Sequence, residues 1–196
     1  MIEVEKKFIL TPEQEKSLIY GAEFLGEKKN TDIGYDDADF SLTKKDIWLR
    51  NRNGKFELKL PMNEPIERRV SDQYKEIEDE DEIKRHFSIN NNETIADFLA
   101  KKGYKPVFTI NTARKKYKKD RFNIDLDVVD FGYTLTEIEY IVDDELKIKH
   151  ATDAIIEFAK KHNMDTNTVV RGKAVEYIRR NNPKHFQALI DAKVIK

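Results

Sequence analysis

Hydrophobic and polar positions alternate with a period of two in several segments, and each segment keeps its apolar residues on one side. In Ile2-Glu3-Val4-Glu5-Lys6-Lys7-Phe8, Glu3, Glu5 and Lys7 share one strand face; Ile2, Val4, Lys6 and Phe8 share the other. Ile47 to Arg52 and Lys55 to Leu60 flank Asn53-Gly54, the favoured pair for a two-residue hairpin. Counting from that turn sets Arg50 opposite Glu57, Trp48 opposite Lys59 and Arg52 opposite Lys55 on one face. The other face carries Ile47, Leu49, Phe56, Leu58 and Leu60, with Asn51 as its exception. A second hairpin about Lys119-Asp120 joins Tyr104–Lys118 to Arg121–Val128, which pairs Arg114 with Asp125 and Thr112 with Asp127. A strand from Thr134 to Val142 follows Asp130-Phe131-Gly132-Tyr133. Symmetric pairing about Gly132 brings Asp127 against Glu137 and Asp125 against Glu139. Weaker strands are predicted over Thr31–Asp37 and Ile66–Ile77, with Tyr74 and Glu76 on one face.

Between these segments the period changes to that of a helix. Thr11, Pro12 and Gln14 form a helix start with a capping box, and Leu18, Ile19, Ala22 and Leu25 follow at helical spacing. Further helices are predicted over Asp79–Phe87, Thr94–Lys102 with Gly103 as C-cap, Ala151–His162 and Val169–Arg180, and in a short tail after Pro183. The pattern amounts to about eight mostly consecutive, antiparallel strands, with helices inserted between them and at the end.

Composition narrows the function. At 196 residues the chain suits one domain, 1–196, with a sizeable core. Its 36 basic and 37 acidic residues nearly cancel, so electrostatic function must come from local segregation of charge. Without cysteine, disulfides, thiol catalysis and thiolate metal sites are excluded. The chain opens on a strand with no apolar signal region and contains no run of membrane-spanning length, which predicts a soluble, cytoplasmic protein with no membrane partner. The four histidines fall in predicted helices or the tail and are read as structural.

The charged strand faces set the chemistry. An open antiparallel sheet would show them to bulk water. A closed eight-stranded antiparallel β-barrel, an α+β fold with its helices outside, would turn them inward. Four carboxylates as close as Asp125, Asp127, Glu137 and Glu139 repel unless a metal or an arginine sits among them. Basic walls bind phosphate oxygens, and acidic walls bind the hard cations Mg²⁺ or Mn²⁺. A triphosphate with its metal satisfies both.

Glu3-Val4-Glu5-Lys6-Lys7 at the N-terminus resembles the ExExK signature of the CYTH superfamily, the triphosphate tunnel metalloenzymes. The similarity runs through Trp48-Leu49-Arg50-Asn51-Arg52, Phe56-Glu57-Leu58-Lys59, Ile124-Asp125-Leu126-Asp127, Asp130-Phe131-Gly132-Tyr133, Glu137-Ile138-Glu139 and Lys173. The Asp-Phe-Gly-Tyr loop and the tryptophan before Arg-x-Arg are closest to the thiamine-triphosphatase branch. The resemblance implies a charged tunnel and metal-dependent removal of the terminal phosphate of a small-molecule triphosphate. It implies that Lys7, Arg50, Arg52, Lys59, Arg114 and Lys173 hold phosphate. Glu3, Glu5, Asp125, Glu137 and Glu139 would hold Mg²⁺ or Mn²⁺, with Asp127 and Glu76 as helpers, and Trp48 would stack on the organic part. Glu3, Glu5, Lys7, Arg50, Arg52, Lys59, Arg114 and Glu139 would form the catalytic set, in a monomer or weak dimer.

One departure bears on substrate. Thiamine triphosphatases tend to carry an aromatic pair before the Asp of the second strand, whereas Gly34-Tyr35-Asp36 has one ring, which favours plain tripolyphosphate. An adenylyl cyclase of the same superfamily is opposed by the Trp-Leu-Arg-x-Arg and Asp-Phe-Gly-Tyr stretches. A polyphosphate or nucleic-acid binder, suggested by Lys115–Lys119 with Tyr117 and Arg121, has little use for Glu3, Glu5, Glu137 and Glu139.

Overall fold

The computed structural model describes residues 1–196. Eight strands close into one antiparallel barrel: β1 (Ile2–Phe8), β2 (Glu23–Asp36), β3 (Trp48–Arg52), β4 (Lys55–Pro61), β5 (Asp72–Ile77), β6 (Lys105–Lys119), β7 (Phe122–Val129) and β8 (Tyr133–Val142). Around the barrel they run β1-β5-β4-β3-β2-β6-β7-β8, with β8 pairing back onto β1. The helices are α1 (Pro12–Ile19), α2 (Glu80–Phe87), α3 (Ile95–Lys102), α4 (Ile148–Lys161), α5 (Lys173–Asn181) and α6 (Pro183–Asp191).

The alternation in the sequence explains why the sheet closes with its charges inside. Val4, Phe8, Ile124 and Ile138 point outward and pack under α4 through Ala151, Ile155, Phe158 and Ala159. On the other side Leu49, Leu58 and Ile77 pack under α2 and α3 through Ile83, Ile95, Phe98 and Leu99. The first three helices are fixed at their starts by sequence chemistry. Thr11 and Gln14 close the capping box on α1, Asp79 caps α2, and Thr94 with Asp97 closes a second box on α3. Leu58 is fully buried in this outer layer, and truncating it to alanine should cost about 2–5 kcal/mol. A third apolar cluster lies at one end of the barrel. There Phe108, Ile110, Val129 and Leu135 meet Ile178 of α5, Leu189 of α6 and Val194.

The first hairpin has the expected register, with Trp48 opposite Lys59, Arg50 opposite Glu57 and Arg52 opposite Lys55. The other two are displaced by two residues. Asp120 takes a left-handed conformation (φ 54°), so the turn is Asp120-Arg121 and Arg114 faces Asp127 while Lys116 faces Asp125. On the next pair Asp125 faces Glu137 and Asn123 faces Glu139. A shift of two leaves every side chain on its predicted face, because the strand period is two.

Four boundaries also differ, the largest difference being at β2, which begins at Glu23 rather than at Thr31. Helix α1 stops at Ile19, and Gly21 at φ 72° turns the chain into β2. Ala22 and Leu25 are therefore not on its stripe, and Leu25 stands half-exposed in a 14-residue strand. In the segment from Ile66, only Asp72–Ile77 forms a strand. Helix α5 begins at Lys173 rather than near Val169, with Gly172 as its N-cap.

Candidate active site

The barrel encloses a cavity of about 570 Å³ whose lining includes Glu3, Glu5, Lys7, Arg50, Arg52 and Lys59. Trp48, Glu76, Arg114, Glu137, Glu139 and Lys173 line it as well. Asp125 and Asp127 sit just behind, both bound to Arg114. The structure thus brings all fourteen of these predicted site residues to one place, and none of the four histidines lines it.

Topology sets two charged strands against each other across the barrel. Strand β3 carries Arg50 and Arg52 and lies diametrically across the barrel from β8, which carries Glu137 and Glu139. The arginines are held from behind. Arg52 Nε and Nη2 donate to the two oxygens of Asp32 at 2.6 and 3.0 Å, and Arg50 Nε donates to Glu57 Oε2 at 2.7 Å. Both guanidinium groups are thereby oriented into the cavity. The lysines bridge acids. Lys7 Nζ lies 2.7 Å from Glu5 and 2.7 Å from Asp72, and Lys59 Nζ 2.6 Å from Glu3 and 2.8 Å from Glu76. Burial alone would pull Lys7 down, but Asp72, Glu5 and Glu137 hold its pKa well above the usual lysine value.

On the acidic wall Arg114 gathers three carboxylates. Its Nε and Nη2 donate to Asp127 at 2.7 and 2.6 Å, its Nη2 also to Glu137 at 2.5 Å, and its Nη1 to Asp125. Lys173, projected from the N-terminus of α5, adds bonds to Asp127 and to Glu137 at 3.2 Å. Both oxygens of Asp127 are therefore engaged by cations. Burial would raise Glu137, yet Lys173, Arg114 and Lys7 keep it well below the usual carboxylate range.

Glu139 is different. It has no cationic partner within ion-pair distance, although Glu3, Glu5, Asp125 and Glu137 around it all do. Burial first, then Glu3, Asp125 and Glu137, push its pKa well above the usual range. Glu3 is lifted to about 7 by burial, against the pull of Lys59. Oxygens of Glu3, Glu5 and Glu139, and again of Asp125, Glu137 and Glu139, converge within 4.8 Å of one another. Within the second group Asp125 Oδ1 is buried with no hydrogen-bond partner. Carboxylate oxygens crowded together, one of them orphaned, are the donor set that a hard divalent cation fits.

At the apolar end, Trp48 Nε1 and Tyr74 Oη both donate to Asp46 Oδ1, at 2.9 and 2.8 Å. Asp46 is further bound by Asn63 at 2.7 Å and Arg69 at 3.3 Å. Trp48 packs against the cluster that holds Phe108. Sequence reading missed Asp32, Asp46, Asp72 and Phe108. Asp72 was accessible, since it shares the alternation of Tyr74 and Glu76. Asp46 lies outside any strand in a left-handed turn (φ 59°) and left no such signal.

The CYTH domain family model matches residues 1–172. Human thiamine-triphosphatase is 26% identical over 209 aligned residues, covering 97% of this chain and 90% of that protein. The Macaca fascicularis thiamine-triphosphatase matches to the same extent. Among solved structures, a Pyrococcus horikoshii OT3 protein superposes with a TM-score of 0.60 at 21% identity, covering 92% of this chain and 99% of that one. A Hippeastrum adenylyl-cyclase-like protein, described as having a dominant triphosphatase activity, superposes at 0.55 with 15% identity and coverages of 91% and 94%.

Proposed function

The chain belongs to the CYTH family, and from that premise we propose that it is a metal-dependent triphosphatase converting thiamine triphosphate to thiamine diphosphate. Inorganic tripolyphosphate is the close alternative substrate. The observation that carries this reading is the pairing of an acidic wall, crowded around the unpartnered Glu139, with a wall of oriented arginines across the same cavity.

The residues divide by chemistry. Lys7, Arg50, Arg52, Lys59, Arg114 and Lys173 bind the phosphate oxygens, the arginines at two points and the lysines as point charges. Glu3, Glu5, Asp125, Glu137 and Glu139 hold Mg²⁺ or Mn²⁺, which supplies charge neutralisation across the phosphates. Asp127 orients Arg114 and Lys173, and Glu76 orients Lys59. Each lysine or arginine now paired to a carboxylate can transfer its hydrogen bonds to phosphate, and burial makes those bonds strong. Glu139, free of cationic partners, is placed to orient the water that attacks the terminal phosphorus in line. No covalent nucleophile is required.

No helix is long and apolar enough to cross a membrane. In this proposal the protein acts as one domain over 1–196, in the cytoplasm, on a small molecule, as a monomer or weak dimer without a nucleic-acid partner. Phosphate release with Mg²⁺ or Mn²⁺ on thiamine triphosphate, tripolyphosphate and ATP side by side tests it. Preference for thiamine triphosphate is expected. Preference for tripolyphosphate would discard the thiamine assignment, and metal-independent or absent turnover would discard the enzyme.

A further inference from the structure

Gly34 of β2 pairs with Phe108 of β6 across the ladder. A Cβ placed on Gly34 would lie 2.1 Å from the Phe108 ring, so the ring occupies the space that any other residue at 34 would fill. The glycine is required by this close approach, the arrangement in which an aromatic ring covers a bare position on a neighbouring strand. Phe108 lines the cavity together with Asp32, Arg114 and Trp48. Trp48 is pinned by its indole N–H to Asp46. The remaining ring of this part of β2, Tyr35, is turned the other way, packing outside the barrel 6.1 Å from Phe56. Strand β2 therefore supplies no aromatic surface to the cavity, and Phe108 supplies it instead.

We propose that Phe108, seated over Gly34, is the specificity-determining residue that holds, with Trp48, the flat heteroaromatic end of a triphosphate ester. This rests on reading the cavity as a triphosphate site. The ring stands at the apolar end, backed by Ile110 and by Ile178 of α5, while Arg50 pairs with the other side of Gly34 and Arg52 stands one alternation further along β3. A ligand with charge at one end and a flat apolar ring at the other matches both ends at once. Inorganic tripolyphosphate matches only one.

Binding can be read separately from turnover, because Trp48 is the only tryptophan and its emission reports occupancy beside Phe108. The experiment titrates thiamine triphosphate and tripolyphosphate into wild type, Phe108→Leu and Gly34→Ala, and measures hydrolysis of both in parallel. Leucine keeps most of the bulk that packs on α5 but removes the stacking face. The Cβ of Gly34→Ala evicts the ring without altering Phe108. Loss of one stacked ring should lower the preference for thiamine triphosphate over tripolyphosphate about tenfold in both variants. A ratio within about twofold of wild type in either variant overturns the assignment, as does a wild type that binds the two ligands equally. Wild-type binding selectivity that is lost in both variants, without hydrolysis of either ligand, would sink the enzymatic reading and leave this one standing.

Discussion

Glu5 on β1 lies directly opposite Glu139 on β8, two carboxylates facing each other across one ladder rung inside the barrel. Like charges at directly opposed positions destabilise a sheet. Glu5 is relieved by Lys7 at 2.7 Å, but Glu139 has no such partner. Ionising Glu139 in the free protein therefore incurs an unbalanced repulsion at the point where the two candidate ligand groups share it.

Replacing Glu139 by glutamine removes the shared charge with almost no change of shape. Hydrolysis should fall at least about 100-fold, since outer partners of a metal site alone cost about 10–100-fold when lost. The metal-free variant should be at least as stable as wild type, because the repulsion is gone. Phosphate release and metal-free thermal melting check the two halves, and near-normal turnover in the variant would exclude Glu139 from the site.

Asp125 and Asp127 alternate on one strand but differ in what they touch. Asp127 is clamped by Arg114 and Lys173, whereas Asp125 Oδ1 is unpartnered. Asp125→Asn should reduce the rise in melting temperature produced by Mn²⁺, leaving the part held by Glu3, Glu5 and Glu139, while Asp127→Asn should keep it whole. Asp127→Asn should lower overall stability by about 3–5 kcal/mol, the cost of breaking a buried pair. Equal loss of the Mn²⁺ response in both variants would mean that Asp127 is a ligand too.

The barrel was legible because most of its strands share one rule, apolar out and charged in; the start of β6 breaks it, with Phe108 and Ile110 lining the cavity while Thr109 and Asn111 face solvent. That rule also located the inward-facing acids and bases, since the face of a residue survives a register slip of two. The slips themselves were not legible. Lys119-Asp120 and Asp120-Arg121 are both possible turn pairs, and only the left-handed backbone at Asp120 distinguishes them. The contact partners of Arg114 followed that choice. Nor did local spacing reveal Gly34 under Phe108, because 74 residues separate a bare strand position from the ring that fills it.

Glu3 gives the metal-free protein a distinctive pH response. Its pKa is about 7 in the fold against an ordinary 4.5. Between those values the folded protein retains a proton that the unfolded chain has released. Stability from this group is therefore greatest below pH 4.5, falls as pH rises toward about 7, and levels off above. Glu139, also raised, acts in the same direction. A divalent cation would displace those protons, so stabilisation by Mn²⁺ should increase over the same interval. Calorimetric melting should show a Mn²⁺ shift about 3 °C or more larger at about pH 8 than at about pH 5.5. A shift that is constant across that range would contradict the placement of metal against Glu3 and Glu139.

His185, which does not line the cavity, provides the opposite response. Its ring is fully buried in α6 and stacks on Phe40 at 3.9 Å. Thr43 Oγ1 gives its hydrogen to Asp36 at 2.6 Å and must therefore accept from His185 Nε2 at 2.7 Å. That fixes the neutral tautomer with Nε2 protonated, and Nδ1 is left without a partner. A second proton on Nδ1 would be a buried donor with nothing to meet. Burial accordingly lowers the pKa below the ordinary 6.5, although Asp36 pulls the other way. Because the unfolded state binds the proton more readily, this contribution is fully present above pH 6.5 and is lost as pH falls through the lowered folded value. Urea unfolding of wild type and His185→Gln across pH 5 to 8 isolates it from the carboxylates common to both. Their stability difference should shrink as the solution is acidified, and curves that stay parallel over the whole range would show that His185 does not titrate against the fold.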